Sequence, residues 1–160
     1  MIICRGLCAA TLLVLLCSAQ QALGEPAVSV IKSYYNIQGV TSGELKAQMK
    51  QKGPKGFWAY AKWWVNWSGN CRISVKVTYT FPRWVNKNNA PKSLRDSWDR
   101  MIRQLWKHEK GHGRHGINAA KEIEKSRCAN PRQVIDKWAA QDKSFDLRTR
   151  HGRSQGVHLP

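Results

Sequence analysis

The sequence predicts an α+β domain in which a short, mainly antiparallel sheet packs against one long helix. Two neighbouring segments, 56–67 and 71–81, are strand-like and are separated by a turn signal. From about Lys92 to Arg127, apolar residues recur at every third or fourth position, as they do on one face of an α-helix. The 160 residues are enough for one domain with a core, and they contain no internal repeat.

The first predicted elements are a strand and a capped helix. Residues 27–37 are rich in Val, Ile and Tyr, which favours a strand. Thr41 and Glu44 have the spacing of a capping box, in which each side chain bonds the backbone N–H of the other residue. The helix that follows is predicted to end at Gly53-Pro54, since both residues interrupt a helix.

The next two segments are predicted to form a β-hairpin across the turn at residues 68–70. In 71–81, apolar residues alternate with polar ones, which is typical of a strand with one buried face. Pro82 is expected to end this strand, because proline cannot donate a backbone hydrogen bond.

The long helix carries the most informative motif of the chain, His108-Glu109-Lys110-Gly111-His112, which has the pattern HExxH. Residues four apart lie on one face of a helix, about 6 Å apart in rise. Two imidazoles can therefore hold one zinc ion, and Glu109 can accept a proton from water as a general base. The apolar stripe of the helix, continued forward, includes both histidines, so they are predicted to face the sheet.

A catalytic zinc site needs a third protein ligand. His115 and Glu122 lie too far along a straight helix to complete the site easily. We therefore expect the third ligand from a later segment that folds back, which offers Asp142, Asp146, His151 and His158. We predict His151, which precedes a glycine in an irregular stretch. Asp146 is the alternative, either as the third ligand or as a residue that hydrogen-bonds and orients one of the histidines.

Three glycines within six residues of the motif helix need an explanation, because glycine disfavours helix. They predict either a close approach of backbone or substrate, or a local break after His112. After Asn130-Pro131, residues 132–143 are predicted to form a last short helix.

The first 24 residues have the features of a secretory signal peptide. Arg5 precedes an apolar run of about 11 residues, which is too short to span a bilayer comfortably, and Ala22 and Gly24 fit a small-residue cleavage site. Cleavage after Gly24 would leave a domain of residues 25–160. Because it removes one arginine and no acidic residue, it would lower the formal charge from +17 to +16.

The exported chain would keep two cysteines, Cys71 and Cys128. An even number in an oxidising compartment predicts one disulfide, and a metal site with cysteine ligands is the lesser alternative. The high positive charge favours anionic partners, such as a cell-envelope component, or serves solubility alone. No specific nucleic acid is predicted as a partner.

The chain has eight tryptophans, and four of them lie in 58–67. Core packing is the favoured interpretation, and an aromatic surface for a substrate or partner is the alternative. Adjacent Trp63 and Trp64 should point to opposite faces of a strand, so a face outside the hairpin's core must accept a tryptophan.

These residues resemble a bacterial domain-of-unknown-function family described as predicted secreted zinc-dependent proteases. The resemblance covers nearly all of the chain after the signal peptide. It is carried by TSGEL from Thr41, GPKGFWAY from Gly53, Trp67, YTFPRW from Tyr79, WDRM from Trp98, HEKGH from His108, AA from Ala119 and TRHGRSQG from Thr149.

The resemblance implies a small zincin-like domain with a zinc-dependent proteolytic role. The histidine-glycine pair of the family falls on His151-Gly152, which supports His151 as a ligand. The aromatic-aspartate pair of the family is Phe145-Asp146 here, where tyrosine is more usual. Phe145 lacks the hydroxyl group with which that tyrosine could assist catalysis.

We therefore expect a secreted or periplasmic zinc metallohydrolase, a peptidase acting on a peptide or protein substrate, without a transmembrane anchor after signal cleavage. In this hypothesis, His108, His112 and His151 bind zinc and Glu109 is the catalytic base. The alternative is a basic, aromatic-rich periplasmic binding module with a structural or vestigial metal site.

Overall fold

The computed structural model of the protein describes residues 24–160. Apart from Gly24, the predicted signal peptide lies outside the described residues. In chain order the elements are β1 (Ala27–Ile37), α1 (Ser42–Lys52), β2 (Tyr60–Trp67), β3 (Ile73–Trp84), α2 (Lys92–Lys125) and α3 (Pro131–Thr149). Single 3-10 turns occur at Pro54–Gly56, Lys87–Asn89 and Arg153–Gln155.

The three strands form one sheet in the order β1-β3-β2. β2 and β3 pair antiparallel, from Tyr60 opposite Thr80 to Trp67 opposite Ile73, so the predicted hairpin is confirmed. β1 pairs with β3 in parallel along its whole length. The sheet is therefore mixed, and the prediction of a mainly antiparallel sheet is corrected. Parallel pairing requires a crossover connection, and α1 and β2 together supply it.

Pro82 does not end β3, contrary to the prediction, and the strand continues to Trp84. The pairing with β2 stops at Thr80, whereas the pairing with β1 includes Pro82 and continues to Trp84. Beyond Thr80, β3 therefore has a neighbouring strand on one side, and proline is tolerated in such edge positions.

Helix α1 begins with the predicted capping box. The Thr41 hydroxyl accepts from the Glu44 N–H at 3.3 Å, and the Glu44 carboxylate accepts from the N–H groups of Val40 and Thr41 at 2.8 and 3.1 Å. These bonds hold the pKa of Glu44 below its ordinary value. Leu45 and Met49, one turn apart on α1, are fully buried, and this helix contacts β1.

The core lies between α2 and the faces of β2 and β3 that the alternating pattern predicted to be buried. Ile73, Val75, Val77 and Tyr79 are all buried, and the intervening residues are not. Phe81 and Trp106 stack with ring centroids 3.8 Å apart, which fixes α2 on the centre of the sheet. The long helix predicted over residues 92–127 is thus observed as α2, two residues shorter.

The glycines of α2 permit close packing, and the helix has no break after His112. A Cβ atom at Gly113 would lie 1.9 Å from the Tyr79 hydroxyl oxygen, and one at Gly116 would lie 2.5 Å from the Trp63 side chain. Gly111 similarly leaves room for the Phe145 ring. The predicted break is therefore wrong, and the close approach is made by side chains and not by the predicted backbone or substrate.

Gly113→Ala is expected to destabilise the protein by about 1–3 kcal/mol, because the new methyl group overpacks a filled contact. The matched control is Gly43→Ala in the exposed first turn of α1, where a Cβ would meet no atom within 4 Å. That control should leave stability unchanged or raise it by up to about 1 kcal/mol. Denaturant unfolding of both variants measures the difference, and equal stability of the two variants would contradict the packing account.

Helix α3 runs six residues beyond the predicted end at Lys143. Most of its residues after Trp138 are polar, and the apolar Phe145 and Leu147 lie on different faces, so apolar periodicity does not extend through it. The segment after α3 is also packed, with Val157 and Leu159 buried.

Cys71 and Cys128 form the predicted disulfide, with their Cα atoms 5.7 Å apart. Among the described residues, no helix is both long and apolar enough to cross a membrane.

Candidate metal centre

Three ligand-type atoms meet where α3 crosses the middle of α2. His108 Nε2 and His112 Nε2 lie 3.2 Å apart. The Oδ1 atom of Asp146 lies 3.2 Å from the first nitrogen and 3.1 Å from the second. The three atoms form a nearly equilateral triangle, and both histidines are buried.

A hydrogen bond at Nδ1, the ring nitrogen that is not in the triangle, holds each of these two histidines. His108 Nδ1 lies 2.9 Å from the Gln155 side-chain oxygen, and His112 Nδ1 lies 2.8 Å from Asp142 Oδ1. The amide oxygen and the carboxylate can only accept, so the Nδ1 atoms carry the protons. In a neutral ring this leaves the Nε2 lone pairs directed at the triangle, which is the tautomer that a metal ligand needs.

Asp142 is itself held by two further groups. His115 Nδ1 lies 2.6 Å from Asp142 Oδ1, and the Trp63 indole N–H donates to Oδ2 at 3.2 Å. His112, His115 and Asp142 also form a second group of ligand-type atoms. Their separations of 2.6 and 2.8 Å are shorter than the roughly 3.3 Å between two ligands of one tetrahedral zinc, so these contacts are hydrogen bonds that support His112.

The Phe145 ring packs against both histidines of the triangle. Its centroid lies 5.0 Å from that of His108, nearly parallel to it, and 5.1 Å from that of His112. Gly111 makes this possible, since a Cβ there would lie 2.7 Å from the ring. Phe145 thus shields one side of the cluster with an apolar surface.

Glu109 is buried beside the triangle and faces β2. Burial raises the pKa of its carboxyl group to about 7, although the neighbouring histidines and the Ala61 backbone N–H lower it. This carboxyl group can therefore exchange a proton near neutral pH, as a general base must.

The histidines and aspartates of the site shift one another's pKa values. Burial opposes the charged form of His112, but hydrogen bonds to Asp142 and Asp146 outweigh it and raise the pKa of His112 to about 10. Burial also opposes ionisation of the two aspartates. Their hydrogen bonds to histidines outweigh it and hold the pKa of each carboxyl group below its ordinary value. Both aspartates are thus anionic at neutral pH.

His151 lies at the open side of the site. Its Nδ1 atom is 3.4 Å from Asp146 Oδ1, and its side chain is 55% exposed. Arg150, His151 and Gly152 all have left-handed backbone angles, with φ of 50°, 51° and 81°, and they reverse the chain after α3. A Cβ at Gly152 would lie 3.1 Å from the His108 ring, so this glycine allows the reversal to pass close to that ring.

A cavity of about 690 Å³ opens in front of these side chains. One wall is the start of β2 with the preceding residues 56–59, and the opposite wall is formed by α3 and residues 151–159. Glu109 and the two histidines lie on the α2 side, and Asp146 lies on the α3 wall. The size is within the usual range for a ligand pocket, which is roughly 300–1,000 Å³.

The structure brings together all of the sequence-predicted site residues, His108, Glu109, His112, Asp146 and His151, around one cavity. Asp146, the alternative candidate, is in the triangle, and His151 contacts it from the open side. Sequence reasoning offered Asp142 only as one of four candidate third ligands and gave Gln155 no role, whereas both hydrogen-bond a histidine of the triangle. Asp142 lies one turn before Asp146, and an α3 extended through Asp146 would have placed both carboxylates on one face.

Neither the curated proteins nor the solved structures contain a match to this chain. One family model matches residues 32–152, which is more than half of the chain and includes every residue of the triangle. On this match, the chain belongs to the family described as Bacterial protein of unknown function (DUF922).

Proposed function

We propose that this protein is a zinc-dependent metallohydrolase, and specifically a peptidase. The observation that carries the proposal is the triangle of His108 Nε2, His112 Nε2 and Asp146 Oδ1, with sides of 3.1–3.2 Å, next to the buried Glu109. Two atoms bound to one tetrahedral zinc at about 2.0–2.1 Å are about 3.3 Å apart. Two imidazoles and one carboxylate are also a donor set typical of catalytic zinc.

In this proposal Asp146 is the third ligand, and His151 is a neighbour that contacts Asp146. Asp146 Oδ1 is within hydrogen-bond distance of both ring nitrogens of the triangle, whereas His151 is exposed. Asp142 and Gln155 would orient the histidines through their Nδ1 atoms.

When bound, zinc supplies Lewis-acid chemistry, polarising a carbonyl group and lowering the pKa of water. Glu109 would accept a proton from the attacking water and then donate it to the leaving amine. Its pKa of about 7 suits both transfers. Phe145 keeps bulk water from one side of the histidine pair.

The substrate would lie along β2, which has no strand partner on the side away from β3 among the described residues. The start of this strand lines the cavity. An extended peptide can add to such an edge through backbone hydrogen bonds, which would hold the scissile bond in front of Glu109.

Measuring zinc content together with hydrolysis of casein tests the proposal. Wild type should bind one zinc ion and cleave casein, whereas Glu109→Ala should keep the zinc and lose the cleavage. Glu124→Ala, near the C-terminal end of α2 and away from the triangle, is the matched control and should behave as wild type. Zinc binding without hydrolysis that depends on Glu109 would refute the peptidase proposal and favour a binding module with a structural metal.

We also propose that the protein acts outside the cytoplasm, in the periplasm or beyond it. The Cys71–Cys128 disulfide supports this, since disulfides persist mainly in oxidising compartments. Fractionation of cells that express the full chain, with detection of the disulfide by thiol labelling, checks the location.

A further inference from the structure

The face of the sheet opposite α2 is uncovered. Side chains that point to it alternate with the buried ones, and they come from all three strands. Ser33 and Thr80 are neighbours on this face, with their hydroxyl oxygens 2.9 Å apart. The outward residues of β1 up to Ser33, of β2, and of β3 up to Thr80 are exposed or partly exposed. At the far end of the sheet this face is covered, since Ile37, Pro82 and Trp84 are buried there.

Two aromatic rings of β2 lie on this outer face, as the alternation at Trp63 and Trp64 predicted. Trp64 is paired with Lys76 and is 39% exposed. Tyr60 is paired with Thr80 and lies four residues away, roughly 13 Å along the strand.

Lysine ammonium groups accompany both rings. Lys62 Nζ lies 4.4 Å and Lys76 Nζ 5.9 Å from the Trp64 ring centroid. Lys55 Nζ lies 4.9 Å from the Tyr60 ring centroid and donates to its hydroxyl at 2.8 Å.

The charge of this face is entirely positive. The outward residues of the three strands include no aspartate or glutamate. Within the described part of the chain, Lys62 and Lys76 form no ion pair. Both lysines are exposed, so their charges face solvent without a neutralising partner.

We infer that this outer face binds an acidic polysaccharide, that is, a glycan chain with carboxylate groups. Lysines would pair with the carboxylates, and the rings of Trp64 and Tyr60 would pack on sugar rings. The outward serine and threonine hydroxyls of β1 and β3, beside these rings, would bond sugar hydroxyls. A flat face that extends over three strands suits an extended chain.

Nucleic acid is the competing polyanion, and the geometry favours it less. Bases bind to such surfaces by stacking on open aromatic faces. Here ammonium groups already lie over both rings, and base stacking would have to displace them. A sugar ring needs only part of an aromatic face, so it can pack beside the ammonium groups while they pair with its carboxylates.

The test is binding to polygalacturonate, measured by calorimetry at physiological salt, with dextran as the uncharged glycan and a single-stranded DNA oligomer as the other polyanion. Wild type should bind polygalacturonate, with weaker binding at higher salt, and should not bind dextran. Trp64→Ala and Lys76→Gln should each weaken binding by roughly threefold to tenfold. Circular dichroism checks that each variant is folded.

Matched controls come from the same molecule. Trp67→Ala removes a tryptophan of similar exposure, 37%, from the other face of β2, and Lys121→Gln removes an exposed lysine from α2. Both should bind as wild type does. Equal losses in the Trp64 and Trp67 variants, no binding of polygalacturonate, or tighter binding of the DNA would overturn the inference. Glu109→Ala should bind normally, so this result is independent of the peptidase proposal.

Discussion

Replacing Asp146 with alanine is expected to lower zinc affinity by more than about 100-fold, which exceeds the usual cost of losing a residue that only orients a ligand. The carboxylate is the third corner of the triangle, and without it the two histidines cannot hold a catalytic ion tightly. His151→Ala should lower affinity by less than about tenfold, because this side chain reaches the triangle through Asp146.

Competition with a chromogenic chelator measures both affinities. Asp136→Ala, which removes an exposed carboxylate from α3, is the matched control and should bind zinc as wild type does. A larger loss in His151→Ala than in Asp146→Ala would return the role of third ligand to His151. Thermal unfolding gives a second readout, since an excess of about 100-fold over the dissociation constant should stabilise the wild type by about 2.7 kcal/mol.

Removing the disulfide by the double change Cys71→Ser and Cys128→Ser is expected to lower the free energy of unfolding by about 3–4 kcal/mol. The bond closes a loop across 57 positions of sequence, and its loss frees the unfolded chain. It joins the turn before β3 to the connection after α2, so the hairpin of the sheet is tied to the C-terminal end of that helix.

Urea unfolding of the variant and of the wild type measures this effect. Wild type with a reducing agent is the internal control and should lose the same stability as the variant. The double substitution Ser68→Ala and Ser126→Ala, in the same two connections, should cost less, because it leaves the covalent link intact. A loss below about 1 kcal/mol in the disulfide variant would contradict the loop-closure argument.

Much of the fold is readable from local signals. Strand alternation, the capping box at Thr41 and the apolar stripe of α2 each concern residues close in sequence, and all of them are observed. The parallel pairing of β1 is not readable in this way, because it joins residues 47 positions apart and leaves no local pattern.

The site can likewise be predicted only in part, because only some of its contacts join residues that are close in sequence. HExxH places His108, Glu109 and His112 by helix geometry alone. Their partners depend on how α3 and the turn after it dock, and the last turns of α3 lack the apolar periodicity that reveals a helix. The roles of Asp142 and Gln155 therefore follow only from the three-dimensional contacts.

The partners of the histidines on α2 all lie in residues 142–155, near the end of the chain. A chain emerges from the ribosome with its N-terminal part first and can begin to fold before synthesis is complete. The sheet and α2 are available early, but the triangle cannot close until α3 has been made and has docked. An incomplete chain would therefore have the motif helix without its third corner. On the proposed function, the peptidase would therefore stay inert until α3 has docked, and zinc uptake would report that docking step.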